Sequence, residues 1–162
     1  MRDKQLVGEI KCIHLPKEAE ALGQDFFQLA DQSYLTGSPW KPALFIEELQ
    51  NQKAYYFAFY QKEVLLGFAG CHKVIDEVEV LSVAVAPEVK GVKIGEQLML
   101  ALIYEARNWQ CTQILLEVRA SNEPAQKLYQ KVGFTQIGLR KKYYHAPQED
   151  GIIMSLQLID EK

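Results

Sequence analysis

The chain has 162 residues, 48% hydrophobic and 24% charged, which suits one domain with a packed core, since domains cluster near about 100–150 residues. A formal net charge of -3 argues against a nucleic-acid binder, which normally carries a basic stripe to neutralise phosphates. No apolar run approaches the roughly 18 residues that read as a bilayer-spanning helix.

No charged region followed by an apolar one opens the chain, so a cytoplasmic protein without a membrane segment is expected. Cys12, Cys71 and Cys111 are odd in number and widely spaced, which argues for reduced, mostly buried thiols rather than a disulfide framework. His14, His72 and His145 show no ligand spacing with one another or with the cysteines, so no metal is expected.

Residues 6–13 alternate loosely as a first strand. Ala19, Leu22, Phe26, Leu29 and Ala30 then recur at helical spacing. In TGSPWKPALFIEELQ, Ser38 as N-cap with Pro39 at the first helical position predicts the start of a second helix. The segment 54–87 holds three β-branched and aromatic runs separated by Gln61-Lys62-Glu63 and by Asp76-Glu77, the pattern of an antiparallel meander. Its last strand covers about 79–86. Ile94, Leu98, Ala101, Leu102 and Trp109 follow on one helical face.

QILLEVRA is a near-continuous apolar run, buried on both faces if its strand is parallel to its neighbour. Ser121 or Asn122 caps the next helix, which Gly133 ends. Phe134–Ile137 and 151–158 complete the chain as two strands. The order β-α-α-β-β-β-α-β-α-β-β predicts an α/β domain with a mixed sheet.

PEVKGVKIGEQL joins a strand to a helix. Such a turn leaves backbone N–H groups unpaired at the positive end of the helix dipole, and Gly91, Gly95, Lys90 and Lys93 suit an anion there. An ordinary tight turn with wet lysines remains the other reading. It is neither a Walker loop nor GxGxxG. The clusters Lys90 with Lys93 and Arg140-Lys141-Lys142 fit small anions or solvated surface.

VAVAPEVKGVKIGEQLMLALIYEA followed by ILLEVRASNEPAQKLYQKVGFTQIGLRKKYY resembles the GNAT acetyltransferases. Within them, LEVRASNEPAQKLYQKVGF with RKKYYHAPQEDGIIMSL is similar to the RimI-type ribosomal-protein alanine N-acetyltransferases. The resemblance covers about 38–158. It implies a seven-stranded, mostly antiparallel sheet flanked by four helices, with two central parallel strands splayed at the cofactor site.

It also implies acetyl-CoA as cosubstrate, cradled by Lys90, Gly91, Val92, Lys93, Ile94 and Gly95. The sequence departs from the family loop, Gln/Arg-x-x-Gly-x-Gly/Ala. Lys90 stands for Gln or Arg, and Lys93 replaces the first glycine. A lysine there either adds charge to the phosphates or crowds them, and both readings stay open.

By the same resemblance Glu117 is the general base, Tyr129 protonates the departing thiolate, and Asn122 both caps its helix and contacts the cofactor. The alternatives are a solvated or paired Glu117 and a core Tyr129. The main chain of Val83 and Val85 is implied to line the cofactor, with an oxyanion met by a backbone N–H near Val85, where family members carry a strand irregularity. The peptide groove of the family is lined at positions that correspond to Trp40, Tyr143 and Tyr144; Trp40 reads equally as a helix-start anchor.

The acceptor implied is a protein N-terminus, the alanine of ribosomal protein S18. An α-amino group, with pKa about 7.7–8.0 against about 10.4 for lysine, needs only modest help to lose its proton near neutrality. Glu47, Glu48, Asp76 and Glu77 read as attracting a basic tail or as a solvated face. A lysine, polyamine or other small amine as acceptor, and a non-catalytic acyl-CoA-binding domain, are the competing readings.

Overall fold

The computed structural model describes residues 7–145 and 148–159. In chain order they form β1 (Glu9–Ile13), α1 (Ala19–Ser33), α2 (Pro42–Leu49), β2 (Ala54–Gln61), β3 (Val64–Val74), β4 (Glu77–Val85), α3 (Ile94–Asn108), β5 (Gln113–Arg119), α4 (Glu123–Lys131), β6 (Thr135–His145) and β7 (Gln148–Gln157). A single 3₁₀ turn, Pro87–Val89, lies between β4 and α3. This is the order expected from the hydrophobic patterning.

The strands make one sheet in the order β1-β2-β3-β4-β5-β7-β6. Every pair is antiparallel except β4 with β5. The β2–β3 turn is tight because Lys62 and Glu63 both take positive φ, 48° and 68°, as a two-residue hairpin of matching twist requires. The β4–β5 pair needs a crossover, and α3 supplies it.

The sheet's two faces carry different helices. Phe26 of α1 and Phe45 of α2 pack on Phe68 and Tyr56, while Gly67, next to Phe68, faces Ile94 and Leu98 of α3. Successive side chains alternate across a strand, so α1 and α2 cover one face and α3 the other. Leu128 of α4 sits against Gly95 of α3, on the α3 side.

Three sequence expectations shift. The helix α2 starts at Pro42 with Lys41 as N-cap, not at Pro39. Ser38 instead closes a local turn, its Oγ donating to the Trp40 carbonyl at 2.6 Å and accepting from the Trp40 N–H at 3.2 Å, which lets Trp40 pack on Phe45 at 5.1 Å. Second, β5 is buried on one face only, at Ile114, Leu116 and Val118, with Leu115 and Glu117 half-exposed, because the α1–α2 layer stops short of it. Third, β6 and β7 run further than 134–137 and 151–158. The long edge strand β6 carries few buried side chains, so its apolar pattern is weak, and pairing with β7 holds it.

No helix among the described residues is long and apolar enough to cross a membrane. Among them too, no group of three or more His, Cys, Asp or Glu side chains could hold a metal ion. All three cysteines are free; Cys71 and Cys111 are buried and Cys12 is exposed.

Candidate active site

The parallel pairing of β4 with β5 runs only from Glu77 with Gln113 to Val80 with Leu116. Beyond it the register of β4 against β3 slips, with Gly70 opposite Ser82 and Cys71 opposite Val80, which leaves Leu81 as the extra residue of a bulge. A bulge bends and twists its strand. The two strands therefore part, and Val83 and Val85 on one side face Glu117–Arg119 on the other. The strand irregularity lies at Leu81, four positions before Val85 where the family resemblance put it, because the slip must fall where the parallel ladder ends.

The end of α1 is stitched to this parted strand. The Tyr34 hydroxyl donates to the Val83 carbonyl at 2.8 Å and the Val85 N–H donates to Ser33 Oγ at 3.4 Å. The Lys90 ammonium donates to the Ser33 carbonyl at 3.2 Å, so its charge is anchored at the C-terminal, negative end of α1.

The loop from β4 to α3 makes its turn with two positive φ values, 92° at Gly91 and 63° at Lys93. Lys93 is the N-cap of α3 in the left-handed conformation, so a lysine makes here the backbone turn that glycine makes without steric cost. Gly95 serves a different end. A Cβ there would meet Leu128 at 3.2 Å and Val85 at 3.8 Å, so its bareness lets α3 approach α4 and β4. Glu96, in the same first turn, is held by Lys131 at 3.1 Å. The first N–H groups of α3 have no intrahelical acceptor, as at any helix start, and Val92 and Ile94 seat the turn on the core.

Glu117 stands on the half-open face of β5, the first residue past the parallel ladder. Its Oε1 is 3.1 Å from Arg140 Nε, while its Oε2 is buried without a hydrogen-bond partner among the described residues. Around Oε2 lie Gly151, Tyr143 and Tyr144: a Cβ at Gly151 would be 3.6 Å from Oε2 and 3.4 Å from each ring. The two tyrosines meet edge to face at 5.1 Å. Arg140 lies over Tyr143 at 5.2 Å and Arg119 over Tyr144 at 4.1 Å. Arg119 also reaches Glu149 at 3.7 Å. The Ser121 N–H, its hydroxyl and Arg119 hold the Glu149 carboxyl below its ordinary value.

Tyr129 is buried on α4, 5.9 Å from Phe134. Burial pushes its phenol above the usual value, and the nearby Tyr34 and Tyr144 hydroxyls push it further. The phenol is thus a proton donor, not a phenolate, at neutral pH. Asn122 Oδ1 accepts from the Ala125 N–H at 3.2 Å, which confirms its capping role. Glu48 is bonded to His72 and Glu77 accepts from Gln113 at 2.9 Å, so two of the four acids suggested for a basic tail are engaged within the fold.

Glu117, Tyr143 and Tyr144 are brought together, while Tyr129 lies on α4 against Phe134. Trp40 packs on Phe45, against the core. Tyr34, Arg140, Gly151 and Glu149 were not singled out from the sequence as site residues. Arg140 belongs to a basic triplet that fits small anions or solvated surface, and the pairing of β6 with β7 across Gly151 is what carries it to Glu117.

A parted parallel pair, a turn feeding a helix N-terminus, and a carboxylate and a phenol near the gap define an acyl-group transferase fold. The model of the acetyltransferase (GNAT) family matches residues 21–134. The chain belongs to that family and is an acetyl-CoA-dependent N-acetyltransferase. It is 35% identical over 143 residues, 83% of this chain and 95% of the relative, to the ribosomal protein bS18-alanine N-acetyltransferase of Haemophilus ducreyi. It is 34% identical over 131 residues, 78% of this chain and 81% of the relative, to the N-alpha-acetyltransferase RimI of Mycobacterium tuberculosis. The crystal structure of the ribosomal-protein-S18-alanine N-acetyltransferase from Escherichia coli superposes with a TM-score of 0.82 at 26% identity, covering 95% of this chain and 97% of that one.

Proposed function

We propose that this enzyme transfers the acetyl group of acetyl-CoA to the N-terminal α-amino group of a protein, and that the acceptor is the N-terminal alanine of ribosomal protein bS18. The observation that carries the reading is Glu117 Oε2, a buried carboxylate oxygen left without a donor among the described residues, on the half-open face beside the gap. Leaving such an oxygen unpaired costs about 1–3 kcal/mol or more, and an incoming amine is the donor that relieves it. The kinship with two enzymes named for N-terminal acetylation supports the choice of acceptor.

In the reaction Glu117 takes a proton from the acceptor ammonium, directly or through water, and the freed amine attacks the thioester carbonyl. The backbone N–H groups of the parted β4 strand, around Val83 and Val85, stabilise the developing oxyanion, the Val85 N–H by giving up its long 3.4 Å contact with Ser33 Oγ. Tyr129 gives its proton to the thiolate as the C–S bond breaks. The turn Lys90 to Gly95 and the N-terminus of α3 hold the CoA pyrophosphate, Asn122 contacts the pantetheine arm, and Trp40, Tyr143 and Tyr144 line the acceptor peptide. The protein binds neither metal nor nucleic acid in this scheme, and it works in the cytoplasm.

Turnover of acetyl-CoA with a basic peptide that begins with alanine tests the reading, against the same peptide blocked at its N-terminus but bearing lysines. The free peptide is acetylated and the blocked one is not; acetylation of the blocked peptide sinks the N-terminal assignment. Glu117→Gln and Tyr129→Phe each lower kcat by about 10²–10⁴-fold, and unaltered rates in both remove the acid and base roles.

A further inference from the structure

The Arg140 side chain crosses from the edge strand β6, over β7, to the catalytic strand β5. Arg140 pairs in register with Gly151, and Gly151 with Arg119, while Glu117 is paired with Ile153. Arg140 thus reaches Glu117 diagonally, past the one β7 position that has no side chain to stand in the way. Its Nε is 3.1 Å from Glu117 Oε1 and its guanidinium lies on the Tyr143 ring. The neighbouring cation, Arg119, is drawn off to Glu149 and Tyr144.

As a stabilising ion pair this contact is worth little. The Arg140 side chain is 54% exposed and that of Glu117 22%, and pairs of that kind contribute about 0–1 kcal/mol. Its geometry has another consequence. A carboxylate tethered through one oxygen by a charge-assisted bond cannot spin about its terminal torsion, so the other oxygen holds one direction. That other oxygen is the buried one without a partner among the described residues.

We infer that Arg140 is the positioning residue of this site: by holding Oε1 of Glu117 it aims Oε2 at the acceptor amine. The inference rests on Glu117 acting as the base. Arg140 itself touches neither the acetyl group nor the amine, so it acts on kcat through Glu117. It does not act on cofactor affinity. A misaimed base costs on the order of tenfold to a hundredfold.

The test compares wild type with Arg140→Gln, Arg140→Lys and Arg140→Ala, alone and combined with Glu117→Gln. Melting temperature, KM for acetyl-CoA and kcat for the alanine peptide are followed. Arg140→Gln is expected to lose about 10–100-fold in kcat with the melting temperature and the acetyl-CoA KM nearly unchanged. Arg140→Lys recovers part of the rate, and guanidinium ion at tens of millimolar recovers part of it in Arg140→Ala. In the Glu117→Gln background, Arg140→Gln has no further effect, because the group it positions is already gone.

Full kcat in Arg140→Gln overturns the inference, and so do additive losses in the double variant. The Arg140 Nε–H signal in nitrogen NMR supplies a readout free of any acceptor. It is slowed in exchange by Glu117 and changes in Glu117→Gln; a signal indifferent to that substitution overturns the inference by itself. The kinetic series is repeated with spermidine and with the N-blocked lysine peptide. If wild type uses one of these instead of the alanine peptide, the acceptor assignment falls while the Arg140 comparison is decided on the amine that reacts.

Discussion

The Tyr34 hydroxyl donates to the Val83 carbonyl at 2.8 Å, 49 residues further along the chain, and so fastens the C-terminal end of α1 to the parted half of β4. Burial raises the Tyr34 phenol, although its bonds to Ser82 and Val83 work the other way. Tyr34→Phe removes both bonds and leaves a strand carbonyl without its partner, a loss of about 1–3 kcal/mol. The peptide groups freed are those that line the gap, so the KM for acetyl-CoA rises severalfold as well. Urea unfolding and steady-state kinetics read the two effects; a stability loss with unchanged KM makes the bond structural alone.

Lys93 occupies a backbone conformation, φ 63° and ψ 27°, that costs a side-chain-bearing residue roughly 1–2 kcal/mol relative to glycine. Lys93→Gly releases that strain but adds freedom to the unfolded chain, which offsets about 0.4–1 kcal/mol of it. The net expectation is equal or slightly higher stability. Lys93→Val, β-branched at positive φ, is expected to lose stability. The acetyl-CoA dissociation constant of Lys93→Gly, taken at low and high salt, separates charge from crowding. Weaker binding that fades at high salt marks a charge contribution, and tighter binding at both marks crowding.

Gly151 is the floor of the corner in which Glu117 Oε2 lies. A methyl group fits there, at 3.4 Å from the Tyr143 and Tyr144 rings and 3.6 Å from Oε2, so Gly151→Ala folds without a clash. The added methyl takes the space an amine needs beside Oε2. Acceptor kcat/KM is expected to fall at least tenfold, about 1.4 kcal/mol of transition-state binding, while the acetyl-CoA dissociation constant stays put. Undiminished acceptor turnover places the amine elsewhere.

Element order was legible because it rests on local signals, such as the aromatic run of β2, the Asn122 cap and the α3 stripe; the parallel pair came with the family resemblance, since the one-faced burial of β5 does not mark it. Glu117 entered through the family resemblance. The features that define its surroundings were not legible. Leu81 looks like any strand leucine, and its bulge exists only as a mismatch between β3 and β4. Arg140 reads as one of three basic residues until the β6–β7 pairing separates it from Lys141 and Lys142. Tyr34 ends a helix with no local mark of a partner 49 residues away. The start of α2 was displaced by three residues because two prolines satisfy the same first-turn rule, and packing of Trp40 on Phe45 chose the later one.

Alkaline pH should destabilise the protein through its buried thiols. Burial pushes the Cys71 thiol up to about 12, with smaller upward contributions from Cys12 and Cys111 and a downward one from a backbone bond at Tyr55. In the unfolded chain a thiol ionises near about 8.5. Because the folded value is the higher, the thiol's contribution is fully present below about pH 8.5 and is lost as pH climbs toward about 12, since only the unfolded chain releases the proton. The slope for one such group is about 1.4 kcal/mol per pH unit. Tyr56 and Tyr129, raised by burial as well, add their share only where free phenols ionise, above about pH 10. The tyrosines contribute equally to wild type and Cys71→Ala, so the difference between their urea midpoints from pH 8 to 10 isolates this thiol. Over that range Cys71→Ala is expected to show a slope shallower than wild type by up to one proton's worth, approached toward pH 10, whatever its stability at pH 7. Parallel slopes in the two proteins would show that Cys71 reaches water and ionises in the folded state.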